Sequence, residues 1–146
     1  MAKTVRSGFV AAPPDEVWEV LADPYHLPRW WPGVVRVENV RGAQFTQVIP
    51  TKRGKPVRLD FTVTDSVRPQ LRSWSQELPG TPFERLLSGW TTTLELAPEG
   101  AGSRITITED QQLRGSFRFG TLLQILPARK RLRQALANLA GLYLPV

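Results

Sequence analysis

The sequence predicts an α+β fold: an antiparallel sheet of six or seven strands curled round one long C-terminal helix, with two short helices after the first strand. Three observations predict it. Alternation at period two runs through the middle of the chain. A helix signal, Ala12-Pro13-Pro14-Asp15-Glu16, interrupts the strands once, near the start. The spacing of apolar residues lengthens to three and four only near each end of the chain. A sheet covered by a single long helix tends to wrap it, and such a grip can leave a cavity.

The elements follow in order. Val5, Ser7, Phe9 and Ala11 alternate onto one face of a first strand. Pro13 and Pro14 end it and open a helix, where a missing N–H costs nothing. Asp15 and Glu16 complement the helix dipole, and Val17, Trp18, Val20 and Leu21 form its apolar stripe. Asp23-Pro24 stops it, because the residue before Pro is driven from the α region. Tyr25 to Trp31 reads as a second short helix or turn, stopped by Pro32-Gly33.

Val35, Val37 and Val40 begin the main sheet, Gly42 turns it, and Ala43 to Ile49 continues it. Residues 50–56 form an exposed loop. Val57, Leu59, Phe61 and Val63 alternate with Arg58, Asp60, Thr62 and Thr64, the clearest strand of the chain. Leu71 to Leu78 carries Arg72, Trp74 and Gln76 on one face. Leu86 to Ala97 alternates through Trp90, Thr92, Leu94 and Leu96. Arg104 to Leu113 puts Ile105, Ile107, Glu109, Gln111 and Leu113 on one face. The last helix is expected from roughly Gly115 to Leu144, with a kink or break at Pro127.

Bulk properties set bounds. The 146 residues are most simply one domain, 1–146, and 41% hydrophobic residues suffice for a core. The absence of Cys excludes disulfides and thiolate metal sites and fits a reducing, cytoplasmic setting. No apolar leader follows Met1 and no run is long enough to span a membrane. The net charge of +6 admits an anionic partner. Its two basic clusters, Lys52-Arg53-Lys55 and Arg129-Lys130-Arg131-Arg133, lack interleaved aromatics for base stacking. They read as a solvated loop and a solvated helix face, without sequence-specific nucleic-acid binding.

The stretch Ala12-Pro13-Pro14-Asp15-Glu16-Val17-Trp18-Glu19-Val20-Leu21-Ala22-Asp23-Pro24, followed by Leu27-Pro28-Arg29-Trp30-Trp31-Pro32, carries a family resemblance. The chain resembles the START-like, or polyketide cyclase/dehydrase (SRPBCC), superfamily over nearly its whole length. The resemblance implies the helix-grip fold of the birch-pollen allergen Bet v 1. It also implies an apolar cavity for lipids, sterols, polyketides or similar molecules. The motif is a strand-to-helix entry and carries no chemistry, so it does not fix an activity.

Catalytic motifs are sparse. His26 is the single His; with Asp23 it reads as a surface turn, and no metal site or other cofactor is expected. No Gly-x-Ser-x-Gly elbow, phosphate-binding loop or dinucleotide fingerprint occurs. Glu109 is the one candidate acid or base: its parity points inward, where burial would raise its pKa. Alternatively it reaches solvent or pairs with a nearby Arg.

The expected ligand-binding set is Trp31, Phe45, Phe61, Trp74, Gln76, Trp90, Glu109, Gln111, Phe117, Phe119, Leu122 and Leu126. The sheet aromatics would form walls and the first half of the last helix a lid. Gln76, Glu109 or Gln111 would orient a small hydrophobic ligand. Two other readings stay open: a cyclase/aromatase-like enzyme using the same cavity, and an interaction module with a filled core.

Overall fold

The computed structural model describes residues 2–51, 54–81, 84, 87–113 and 121–144, with the backbone alone for Ala2 and for residues 121–127. Seven strands form one antiparallel sheet: β1 (Ala2–Val10), β2 (Arg36–Arg41), β3 (Gln44–Ile49), β4 (Val57–Val67), β5 (Leu71–Gln76), β6 (Leu87–Glu99) and β7 (Gly102–Leu113). The strands from β2 to β7 meander in sequence, and β1 returns to pair with β7, giving the order β1-β7-β6-β5-β4-β3-β2. Register shifts at Glu38/Arg41, Val63/Asp65 and Leu87/Gly89 sharpen the local twist and help the sheet curl.

Two short helices, α1 (Pro14–Leu21) and α2 (Leu27–Trp30), follow β1, and α3 (Thr121–Gly141) closes the chain. Pro14 occupies the first helical position of α1, Asp15 and Glu16 its first turn, and Val17, Trp18 and Leu21 are buried. Between α1 and α2 the Asp23 carboxylate accepts a hydrogen bond from the Tyr25 N–H at 3.0 Å, opening a 3₁₀ turn over Pro24–His26. Among the described residues no helix is long and apolar enough to cross a membrane.

α3 lies across β1 and touches β7 and α2. Leu132, Ala135 and Leu139 are fully buried, and Ala128 nearly so. Contact with β1 is close because Gly8 has no side chain; a methyl group there would stand 3.7 Å from Leu136. Asn138 donates from Nδ2 to the Trp30 carbonyl at 3.1 Å, tying the helix to α2.

The structure assigns the faces of β1 and corrects two expectations. The face of β1 bearing Val5 and Phe9 is the outer one, with these side chains 47% and 48% exposed, while Thr4 and Val10 are buried. The reason is α3, which covers the opposite face at Gly8. The last helix runs through Pro127 without a break. A proline there deletes one N–H donor, the one that would bond the Leu123 carbonyl, while other hydrogen bonds of the helix carry it on. Finally, Arg131 is not part of a solvated face. Arg129, Lys130 and Arg133 are exposed, whereas Arg131 turns toward the sheet. Lys55 is exposed, and Lys52 and Arg53 lie outside the described residues.

Candidate functional site

The concave face of the sheet is built by parity. Leu59 and Phe61 on β4, Trp74 and Gln76 on β5, Thr92 and Leu94 on β6, and Ile105, Ile107, Glu109 and Gln111 on β7 are all buried. These are the alternate residues of each strand, so the face follows from period-two spacing alone. Most of it is filled by packing against α1, α2 and α3. At one end it is not.

There a cavity of about 220 Å³ opens between the sheet, the Trp31-Pro32-Gly33 turn and α3. Its walls are Trp31, Pro32, Ile49, Leu59, Phe61, Trp74 and Trp90; its polar lining is Gln47, Gln76, Thr92, Glu109 and Arg131. Gly33 adopts φ +85°, a conformation glycine takes without strain, and this turns the chain back to the sheet at the cavity edge. A larger hollow of about 450 Å³ lies beside β2, rimmed by Arg41, Asp60 and Glu77. It is a polar groove and its charged rim is exposed. The smaller cavity, which alone of the two has a buried carboxylate in its lining, is therefore the candidate site.

The aromatic wall is ordered. The Trp31 and Trp74 rings meet edge to face at 5.9 Å, and Trp31 meets Trp30 the same way at 5.3 Å. Phe45 stacks on Phe61 at 5.3 Å and meets Trp74 edge to face at 5.9 Å. Phe45 thus stands behind Phe61 and Trp74 and does not line the cavity. It supports the wall, contrary to the expectation that it would form part of it.

The polar side centres on Glu109, only 1% exposed. Its backbone stands opposite Thr4 on β1 and Thr92 on β6. Arg131 of α3 reaches across to donate from Nη2 to Glu109 Oε1. Gln111 donates from Nε2 to the same oxygen at 3.2 Å. The Arg131 guanidinium also lies 5.7 Å from the Trp90 ring centroid, a cation–π distance. Burial pushes the Glu109 carboxyl above the usual carboxylate range; the Arg131 charge and hydrogen bonds from Arg131 and Trp90 pull against that without cancelling it. Among the described residues, two buried side-chain atoms of the lining have no hydrogen-bond partner: Glu109 Oε2 and Gln76 Nε2.

Besides Phe45, seven expected site residues can be placed on or behind this cavity wall. Trp31, Phe61, Trp74, Gln76, Trp90 and Glu109 line it, and Gln111 sits behind, hydrogen-bonded to Glu109. Phe117 and Phe119 lie outside the described residues, as do the side chains of Leu122 and Leu126. Asp23 and His26 pair at 3.6 Å on the surface, remote from the cavity lining. Among the described residues no group of three or more His, Cys, Asp or Glu could hold a metal ion.

Of the polar lining, sequence reasoning missed Gln47, Thr92 and Arg131. Gln47 shares strand parity with Phe45 and Ile49 and could have been found that way. Arg131 had a subtler signal: Ala128 lies three residues before it and Ala135 four after, both buried. Small residues on either side along one helix face leave room for a long side chain to lie inward.

Comparison with known proteins agrees with this architecture. Residues 1–143 match the family described as polyketide cyclase / dehydrase and lipid transport. The di-domain ARO/CYC BexL, from the BE-7585A biosynthetic pathway, is 25% identical with a TM-score of 0.77, covering 97% of this chain and 46% of that one. The protein XoxI from Bacillus cereus is 15% identical, with a TM-score of 0.75 over 98% of this chain and 96% of that one. Ara h 8.0201 is 14% identical, with a TM-score of 0.76 over 97% and 96%. The latter two likenesses are of fold. No curated protein matches the chain. With the family match running from Met1 to Tyr143 and the sheet closed round a C-terminal helix, the chain belongs to the polyketide cyclase / dehydrase and lipid transport family and has its helix-grip, Bet v 1-like fold.

Proposed function

We propose that the protein binds a small, mostly apolar ligand in the cavity between the sheet and α3. The observation that carries this is a cavity of about 220 Å³ walled by Trp31, Phe61, Trp74 and Trp90 with Gln76 and Glu109 buried in its lining. An apolar wall supplies binding free energy by burial, and a few fixed polar groups orient what is bound. A module with a filled core has no use for such a space. An uncharged environment-sensitive dye such as Nile red should bind with a blue-shifted emission and be displaced by the natural ligand. Native mass spectrometry of the protein from its own host would catch that ligand in place. A protein that leaves the dye unbound would refute the reading.

A second reading is cyclase/aromatase-like catalysis in the same cavity. It is favoured by one feature, the buried carboxyl of Glu109, whose raised pKa suits proton exchange with a bound substrate. The 25% identity to one part of the ARO/CYC protein BexL supports it. In this reading Glu109 moves the proton, Arg131 stabilises the carboxylate after transfer, and the aromatic wall holds the reacting framework. Glu109→Gln should then abolish turnover and leave dye affinity unchanged; turnover retained in that variant would remove Glu109 from the mechanism.

A further inference from the structure

We infer that the ligand is small, rigid and uncharged, a framework of about two fused rings carrying a hydroxyl donor at one end and a carbonyl acceptor at the other. This rests on the cavity reading above and narrows it. Three observations carry it.

The first is size. At about 220 Å³ the cavity falls below the ~300–1,000 Å³ typical of sites for drug-sized ligands. It suits a compact ring system better than an extended acyl chain or a four-ring skeleton.

The second is the pair of unpartnered atoms. Gln76 Nε2 is a donor and Glu109 Oε2 an acceptor when ionised; both are buried and neither has a partner. Trp30 Nε1 and Asp110 Oδ1 are buried and unpartnered too, but away from this lining; an orphan donor and an orphan acceptor within one cavity lining point to a ligand that completes both. The terminal torsions of Glu and Gln are soft, so small rotations can bring either atom to a bound molecule. Gln76 is on β5 and Glu109 on β7, with β6 between them. Through Thr92, Glu109 stands level with Trp74, and Gln76 lies two residues further along β5, so the two backbones are about 12 Å apart on the diagonal at the usual strand spacing and rise. Side chains reaching inward from both leave a gap that two fused rings can span. Ring walls at Trp31, Trp74 and Phe61 favour a flat framework within it.

The third is charge. Among the described residues, Glu109 and Arg131 are the only charged residues of the lining, and they are paired with each other. An anionic ligand would meet the Glu109 carboxylate and would have to compete for a guanidinium already bonded to it and seated on Trp90.

The test uses a matched bicyclic series on the full chain, read by tryptophan quenching and calorimetry. 6-Hydroxy-1-tetralone has both groups, 1-tetralone only the acceptor and 5,6,7,8-tetrahydro-2-naphthol only the donor. 6-Hydroxy-2-naphthoate adds a negative charge, and decanoate is an acyl chain. The hydroxyketone should bind about tenfold more tightly than either single-group compound, which corresponds to ~1.4 kcal/mol. The two anions should bind more weakly than it does. Glu109→Leu should erase its advantage over 1-tetralone, and Gln76→Leu its advantage over the naphthol. If a variant fails to fold, the ratios in the unaltered protein decide alone. Equal affinities across the three uncharged compounds, or tighter binding of either anion, would overturn the inference. If Nile red binds in that case, the cavity reading stands without it. If neither the dye nor any compound binds, the cavity reading itself fails, and this inference with it.

Discussion

The two halves of the sheet's concave face follow one rule of alternation and reach opposite ends. Toward β3, β4 and β5 the inward side chains are Phe45, Phe61 and Trp74, whose rings pack on each other at 5.3 and 5.9 Å and are closed by Trp31. Toward β6 and β7 they are Trp90, Glu109 and Gln111, met from α3 by Arg131. One half is an aromatic stack with the amides of Gln47 and Gln76 at its cavity edge. The other holds a desolvated carboxyl kept tolerable by Gln111 on its own strand and by Arg131 reaching over from α3. Burial is common to both, so burial alone does not mark a site. What marks it is a buried group whose needs are incompletely met beside space that none of the described residues fills.

The aromatic half should tolerate truncation worst. Trp74, 3% exposed, touches both Trp31 and Phe45, so Trp74→Ala should cost ~3 kcal/mol or more in thermal or urea unfolding. It also borders the cavity, and some of that loss should be recovered by a ligand that fills the added space. A loss well below 1 kcal/mol would mean that the stack is not the structural half.

On the polar half, Arg131→Met removes the charge that faces Glu109. Breaking a fully buried pair costs ~3–5 kcal/mol. Here Glu109 can protonate instead and Arg131 is 26% exposed, so about 1–3 kcal/mol is expected near neutral pH. Urea unfolding checks this. No change would show that the pair merely occupies space.

The pH dependence sharpens the contrast. Glu109 has a folded pKa above its unfolded value, so the folded state holds its proton more tightly. Its contribution is fully present below the ordinary carboxylate pKa and is lost as pH rises through the raised folded value. Stability should therefore decline with pH across that window. Glu109→Gln should flatten this part of the profile, and Arg131→Met should deepen and extend it. A Glu109→Gln profile that superimposes on that of the unaltered protein would contradict the assignment.

Phe45→Leu should have the smallest effect. It removes one ring from behind the wall, costing ~1 kcal/mol of stability, and leaves Nile red affinity unchanged because Phe45 does not line the cavity. A shift in dye affinity as large as that caused by Trp74→Ala would erase the boundary between support and wall.

Alternation, the Pro13-Pro14 entry and the late change to helical spacing determined the sheet, α1 and α3, and strand parity alone turned Trp74, Gln76, Trp90 and Glu109 inward. Those signals are local, since each depends on residues a few positions apart. The tertiary structure decided the rest. Which face of β1 is buried depended on α3 arriving at Gly8. Whether Glu109 reached solvent or a partner depended on Arg131, 22 residues later, crossing from helix to sheet. That Phe45 supports the wall while Gln47 lines it depended on how far the β3 end of the sheet curls before the Trp31-Pro32-Gly33 turn meets it. Periodicity assigns a side chain to a face, but the free volume left over is set by the curvature of the sheet and the seating of the helix. Both are properties of many distant contacts at once.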